Sequence, residues 1–136
     1  MSERSTTLDL VERMRGLVGA LARRDLDAVV SFHAPDAVMD AMVGRFDGVA
    51  AIRAFSADWL ASYDEFAATL EEVRDLGNGV TFGVIQQHGR LVGSGQVHLR
   101  MAMVNVWEDC VIVRTVTGPD IDAVRTAAER LAEERE

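Results

Sequence analysis

The chain contains no lysine, and all 14 of its basic residues are arginine. Chemistry that needs a lysine, such as a Schiff base or a P-loop phosphate site, is therefore excluded. The one cysteine, Cys110, cannot form an internal disulfide, which is typical of proteins from a reducing cytoplasm. No apolar run approaches the roughly 18 residues of a membrane-spanning helix, and the first residues lack the apolar segment of a signal peptide. These absences predict a cytoplasmic location.

Positive charge is also scarce relative to negative charge. Asp and Glu number 22 against those 14 arginines, which leaves a formal net charge of -8. This charge opposes binding to nucleic acid and to anionic membranes, so we expect neither as a partner.

A chain of 136 residues with 49% apolar side chains is large enough for one domain with its own core. Since no linker or repeat divides it, we predict a single domain over residues 1–136.

Apolar residues at helical spacing predict four helices. The first runs from about position 6 to position 24. Asp25 can cap a second, shorter helix that Pro35 ends. The third helix covers positions 49 to 60, after a loop bracketed by Gly44 and Gly48, and Asp120 can cap the last one.

From about residue 66 onward the apolar pattern changes to the alternation of strands. Short separators divide this region, and they suit antiparallel neighbours rather than crossover connections. Gly93 and Gly95 near the start of the longest strand predict a bulge or bend. With a short strand at Ala37–Asp40, the predicted strands span 69–76, 80–88, 92–107 and 111–117. Helices followed by a strand meander predict an α+β fold, with helices packed on one face of a curved antiparallel sheet.

Four short motifs in this order resemble the SnoaL-like branch of the nuclear-transport-factor-2-like superfamily. They are Arg24-Asp-Leu-Asp27, Ala34-Pro-Asp-Ala-Val38, Gly48-Val-Ala-Ala-Ile-Arg53 and Asp120-Ile-Asp-Ala-Val-Arg-Thr-Ala-Ala128. The resemblance implies a conical α+β half-barrel with a central pocket between the sheet and the helices, and homodimers formed through the outer face of the sheet. Members include steroid isomerases, polyketide cyclases, epoxide hydrolases and proteins without catalysis, so the motifs indicate fold better than function.

Asp40 is the candidate general base. Steroid isomerases of the family place such an aspartate near the end of the first short strand, and Asp40 lies there. Apolar neighbours would raise the pKa of this carboxyl toward the working range of a base. By the same resemblance, the tyrosine and the second acid that act as oxyanion donors correspond to Leu17 and Ala102, so both donors are missing. The alternative is an aspartate solvated in a loop.

His98 and Arg100 lie two positions apart on the longest strand, so their side chains share one face. If that face lines the pocket, the two side chains can bind an oxyanion or orient a substrate beside Asp40. The opposite face is strongly apolar and carries Val97, Leu99, Met101 and Met103. If the apolar face points inward, His98 and Arg100 lie on the outer surface or in a dimer contact. The sequence leaves both arrangements open.

Aromatic and apolar side chains are candidates for contact with a flat, apolar ligand. Those we expect to bind substrate are Met42, Phe46, Trp59, Tyr63 and Trp107, whereas we assign Phe55 to the core. The three histidines lack the spacing of metal ligands and have no cysteine partner. We therefore expect no metal and no cofactor.

Two functions are consistent with these features. One is a cofactor-independent isomerase, cyclase or epoxide hydrolase acting on an apolar polyketide-, terpenoid- or steroid-like molecule. Asp40 would then exchange protons while His98 and Arg100 position the substrate. The other is a noncatalytic ligand-binding or dimerisation module of the same fold, which the missing oxyanion donors favour. By analogy with the family we favour the enzyme.

Overall fold

The computed structural model describes residues 3–41 and 43–135, with side chains from Leu10 onward. No described helix is long and apolar enough to cross a membrane. The described helices are α1 (Glu3–Ala22), α2 (Leu26–Ser31), α3 (Val49–Ala61) and α4 (Ile121–Glu134). The strands are β1 (His33–Ala41), β2 (Gly44–Asp47), β3 (Tyr63–Gly77), β4 (Val80–Leu91), β5 (Gln96–Glu108) and β6 (Val111–Gly118).

The strands form one curved, open sheet in the order β2-β1-β6-β5-β4-β3. This architecture confirms the predicted α+β class and the cone-like half-barrel. Neighbouring strands are antiparallel except for β1 and β6, which run parallel. That parallel pair departs from the predicted antiparallel sheet. It is possible because α3 and four strands lie between β1 and β6 in the chain, which is ample length for the return.

The strands direct alternate side chains to the two faces of the sheet. Helices pack on both faces, so the sheet is the middle layer of the molecule. We call the face under α1 the inner face; its buried cluster includes Met14, Leu17, Ile85, Met101, Met103 and Trp107. The opposite, outer face carries α4; its cluster includes Phe82, Val84, Ala102, Val104, Val124 and Ala128. The expectation that all helices share one face is therefore wrong for α4, whose apolar edge packs on the even-numbered residues of β4 and β5.

Both predicted aspartate caps are present. The Asp25 carboxylate accepts a hydrogen bond from the Ala28 amide at 3.1 Å, and that of Asp120 accepts one from the Ala123 amide at 3.0 Å. Each bond satisfies an amide that has no partner within the first helical turn. A cap involves only neighbouring residues, which is why sequence reasoning identified both.

Other boundaries differ from the prediction. Helix α1 starts at Glu3, earlier than expected. Pro35 lies inside β1, at an irregularity in the pairing with β6 where a ladder amide is not needed. Gly44–Asp47 is a strand rather than a loop, since it pairs with β1. Gly93 and Gly95 lie in the turn between β4 and β5 rather than at a bulge, and Gly93 has a φ of +72°, which favours glycine.

Candidate functional site

A cavity of about 80 Å³ lies between the inner face of the sheet and α3. Val43, which is 69% exposed, marks its opening to solvent. The lining residues are Leu21, Met39, Ala41, Val43, Phe55, Ser56, Trp59, Phe66, Gln87, Met101, Met103 and Thr117. Most of these side chains are apolar, so the cavity is suited to an apolar group.

Strand alternation and helical spacing direct these side chains inward. Met39 and Ala41 are two apart on β1, and Met101 and Met103 are two apart on β5, so each pair faces the cavity. On α3, Ser56 and the aromatic rings on either side of it lie within about one turn of each other. The cavity is therefore built by seven elements, α1, β1, α3, β3, β4, β5 and β6, and is not a feature of one loop.

Gln87 is the best-anchored polar group in the cavity. Its Oε1 accepts a hydrogen bond from Trp59 Nε1 at 3.2 Å, and its Nε2 donates to Met101 Sδ at 3.2 Å. The side chain is buried, with 8% of its surface exposed. These two contacts hold the amide in one orientation and leave one N–H of Nε2 available to a ligand.

Ser56 and Thr117, whose side chains carry hydroxyls, also line the cavity. Neither donates a hydrogen bond to another described residue, whereas the nearby Thr115 hydroxyl donates to Asn105 Oδ1 at 2.7 Å. A buried hydroxyl ordinarily has a partner. The two hydroxyls are therefore available to a polar substituent of a bound molecule.

Among the described residues, no ionisable side chain lines the cavity. Nor do the described residues contain a group of three or more His, Cys, Asp and Glu side chains that could hold a metal ion. The cavity can therefore bind by shape and by neutral hydrogen bonds, but its described walls offer no proton donor or acceptor of the strength that general acid/base catalysis uses.

A buried polar network lies next to the cavity, two residues farther along β5 than the cavity-lining Met103. Asn105 Nδ2 donates to Met14 Sδ at 3.0 Å, and Trp107 Nε1 donates to Thr81 Oγ1 at 2.9 Å. All four side chains are at most 3% exposed. Trp107 therefore fills the core instead of lining the cavity, and the network limits how far a ligand can enter.

Asp40 lies between Met39 and Ala41, so alternation turns its side chain to the outer face. Its Oδ2 accepts a hydrogen bond from Arg114 Nη2 at 3.2 Å, and about a third of the side chain is exposed. It does not line the cavity, because its two neighbours already occupy the inward positions. Its role as a general base stays a prediction that no contact with the cavity supports.

His98 and Arg100 also lie on the outer face, so the apolar face of β5 is the inward one. Arg100 donates from Nε and Nη2 to Glu71 Oε2, at 3.0 and 2.6 Å. Hydrogen bonding from Arg100 lowers the pKa of the Glu71 carboxyl. Asp40 binds a different arginine, so the structure does not bring the three predicted catalytic side chains together.

The five predicted substrate contacts have different outcomes. Trp59 lines the cavity, whereas Phe46 stacks on Phe55 with ring centroids 4.5 Å apart. Tyr63 is packed against Trp59 at 5.9 Å, and burial raises the pKa of its phenol. Met42 lies outside the described residues. Phe55, which we had assigned to the core, lines the cavity.

Sequence reasoning missed most of the remaining lining residues. Met101 and Met103 were recognised as an apolar face whose direction was open. Gln87 and Thr117 gave no signal, because a polar residue within an apolar strand is equally consistent with the outer surface. The alternation of Gln87 with the inward Ile85 is the one pattern that could have indicated it.

Comparison with known proteins agrees with this architecture. The family model of the SnoaL-like domain matches residues 14–115. No curated protein has significant sequence similarity to the chain.

Three solved structures illustrate the likeness. A protein with a ketosteroid isomerase-like fold from Catenulispora acidiphila, in complex with trimethylamine, has a TM-score of 0.72 at 14% identity, over 85% of this chain and 90% of that one. TerC, co-crystallised with polyporic acid, has a TM-score of 0.72 at 16% identity, over 89% and 98%. A Sinorhizobium meliloti protein provisionally named a polyketide cyclase has a TM-score of 0.70 at 23% identity, over 82% and 98%. These TM-scores show a shared fold. The family model covers more than half of the length of this chain, so the chain belongs to the SnoaL-like domain family.

Proposed function

We propose that this protein binds a small, neutral and largely apolar molecule in the cavity under α3. The observation that carries the proposal is the lining, which combines apolar side chains with three neutral polar groups and no ionisable one among the described residues. A charged group placed there would lose its hydration without gaining a counter-ion. A neutral ketone, alcohol, phenol or lactone would instead find donors at Gln87, Ser56 and Thr117.

The volume of the cavity limits the ligand. An apolar cavity of about 150 Å³ accommodates benzene, and sites for drug-sized ligands occupy about 300–1,000 Å³. A volume of about 80 Å³ therefore admits a branched alkyl group as it stands. Three lining residues are methionines, whose flexible side chains can move to admit a single ring. A polycyclic molecule would enter with one end only.

The relatives support small-molecule binding as a class. One structural neighbour is a complex with trimethylamine and another was co-crystallised with polyporic acid, so proteins of this fold are found with organic molecules of different sizes. The predicted polyketide-, terpenoid- or steroid-like ligand remains part of the proposal. For such a ligand, the cavity would take one apolar end.

Methionine methyl NMR tests the proposal with an internal control. Met39, Met101 and Met103 line the cavity, whereas Met14 is buried in the core and does not line it. The full chain, labelled at its methionine methyl groups, is titrated with neutral single-ring ketones, phenols and lactones, and with the matching carboxylates and amines.

We expect saturable shifts at the three cavity methyls, a small shift at Met14, and weaker binding of the charged analogues. The absence of binding by every neutral compound would refute the proposal. So would shifts confined to methyls outside the cavity, or tighter binding of the carboxylates.

Acid/base catalysis is the finer proposal, which the Sinorhizobium meliloti relative's name suggests by analogy. Asp40 would be the base, with His98 and Arg100 positioning the substrate. Since Asp40 lies on the outer face, a substrate in the cavity would reach it only around β2, the edge strand that pairs with β1. Turnover of a bound compound that is lost in Asp40→Asn, with binding unchanged, would support this proposal; unchanged turnover would end it.

A homodimer through the outer face stays part of the proposal as well. Helix α4 covers part of this face, and the exposed remainder is polar, with Glu71, Gln86, His98 and Arg100. Such a surface resembles a weak interface more than an obligate one. Size-exclusion chromatography with light scattering, run at several protein concentrations, measures the oligomeric state directly.

A further inference from the structure

Two imidazoles are stacked on the outer face, at one end of the β4–β5 hairpin. His88 and His98 are directly paired across the two antiparallel strands. Their ring centroids are 4.2 Å apart and their planes differ by 12°. They line a groove of about 340 Å³ together with Glu65 of β3. The two histidines are ten positions apart in the chain, so no spacing motif reveals the pair.

The two side chains are close enough to share a metal ion once their rings turn. Cu²⁺ prefers tetragonal geometry, in which two neighbouring nitrogens at about 2.1 Å from the ion lie about 3.0 Å apart. The ion must lie in the plane of each ring, so the stacked rings, whose planes differ by only 12°, have to rotate about their side-chain bonds until their lone pairs converge. Both side chains are exposed, which leaves room for this rotation. The strands on either side of the pair are continuously hydrogen-bonded, so the backbone holds the two side chains close together.

A chain of hydrogen bonds prepares one nitrogen of His98 for ligation. Gln86 donates from Nε2 to Glu71, which Arg100 in turn holds by two hydrogen bonds. The oxygen of the same amide, Gln86 Oε1, lies 3.1 Å from His98 Nε2. An amide oxygen can only accept a hydrogen bond. Neutral His98 therefore carries its proton on Nε2 and presents the lone pair of Nδ1. This arrangement, a ring N–H donated to an oxygen, is the usual support of a metal-binding histidine.

We propose that His88 and His98 bind one divalent transition-metal ion, with Cu²⁺ bound most tightly. Imidazole is a ligand for copper, nickel and zinc, and the affinity of a given site peaks at Cu²⁺. The net charge of -8 favours a cation, while Glu65 in the same groove is ion-paired with Arg90 at 2.9 Å and supplies no free negative charge. Water completes the coordination, because the groove is open. His33 cannot compete, since it is buried on β1.

Calorimetric titration of the untagged full chain with Cu²⁺, Ni²⁺ and Zn²⁺ tests the site. We expect one ion per chain and tightest binding of Cu²⁺. His88→Asn and His98→Asn should each lower the Cu²⁺ affinity at least about tenfold. Removing a residue that only supports a metal ligand already costs that much, and these variants remove a ligand itself. Gln86→Leu should lower it by about 10- to 100-fold while both imidazoles remain. Asp58→Asn, an exposed carboxylate on α3, is the matched control and should change nothing.

Circular dichroism confirms that each variant is folded before titration. Undiminished Cu²⁺ binding in either histidine variant would overturn the proposal, as would an equal loss in Asp58→Asn. An affinity that Gln86→Leu leaves unchanged would refute the role of Gln86 in orienting His98. A Zn²⁺ affinity above that of Cu²⁺ would also contradict a site made of two imidazoles.

Discussion

Filling the cavity should stabilise the protein and abolish ligand binding at the same time. Ser56→Leu puts an isobutyl group where a cavity-facing hydroxyl now lies, on a residue that is 7% exposed. At about 24 cal/mol per Å³, a cavity of 80 Å³ corresponds to about 2 kcal/mol, which is the upper limit of the gain. Leucine is also the better helix former, by less than about 0.7 kcal/mol. We expect the free energy of unfolding to rise by about 1–2 kcal/mol.

Urea denaturation measures this change. Equal slopes of the free energy of unfolding against urea concentration would show that the unfolding reaction is the same in both proteins. Ala54→Leu is the matched control, because Ala54 is an exposed position on the same helix. Its free energy of unfolding should stay within about 0.5 kcal/mol of the wild type. Its ligand affinity should be unchanged.

The opposite signs of the two effects make the experiment decisive. Ser56→Leu should lose the ligand-induced shifts of the methionine methyls. If instead it destabilised the protein by more than about 1 kcal/mol, the side chains around Ser56 would already be close-packed, and the proposed binding cavity would not exist. Ligand binding that survived in a stabilised variant would place the ligand elsewhere.

Three further changes probe the core, the pH response and the outer face. Met14→Leu removes the sulfur that accepts from Asn105 Nδ2, so the free energy of unfolding from urea denaturation should fall by about 1–3 kcal/mol. Burial lowers the pKa of His33 below 6.5, and its hydrogen bond to the Val29 carbonyl offsets this only in part. The unfolded chain therefore binds the proton more readily, so stability should fall as the pH drops through 6.5, and His33→Gln should flatten this slope. Asp40→Asn should change the free energy of unfolding by less than about 1 kcal/mol, because the ion pair is partly exposed, and should leave ligand affinity in NMR titrations unchanged.

Each of these results has a clear opposite. A Met14→Leu variant as stable as the wild type would show that the sulfur contributes no useful acceptor. An equal pH slope in His33→Gln would assign the proton to another group. A large loss of ligand affinity in Asp40→Asn would bring that carboxylate back into the binding site.

Local signals in the sequence predicted the elements well. Asp25 and Asp120 were recognised as caps because a cap depends only on the next few residues. Helical and strand periodicity gave the order of elements, and the family motifs gave the cone-like architecture. The turn at Gly93 was misplaced because a glycine in a strand pattern signals either a bulge or the end of the strand.

The site could not be predicted in the same way. Alternation on β5 showed that His98 and Arg100 share a face, but it could not say which face points inward. Sequence reasoning also grouped Asp40 with these two residues by analogy, although the inward positions of β1 belong to its neighbours. The cavity residues Gln87 and Thr117 come from different strands, so their meeting depends on register and curvature.

The sequence by itself determined the class of the fold, the approximate positions of the four helices and of five of the six strands, and the absence of lysine chemistry. Only the tertiary structure decided that the cavity is small and neutral, that Asp40 faces away from it, and that His88 meets His98 on the outer face. The physical reason is that periodicity and capping are set by neighbours in the chain. Which face is buried, by contrast, depends on what packs against it, and here α1 and α3 cover one face while α4 covers part of the other.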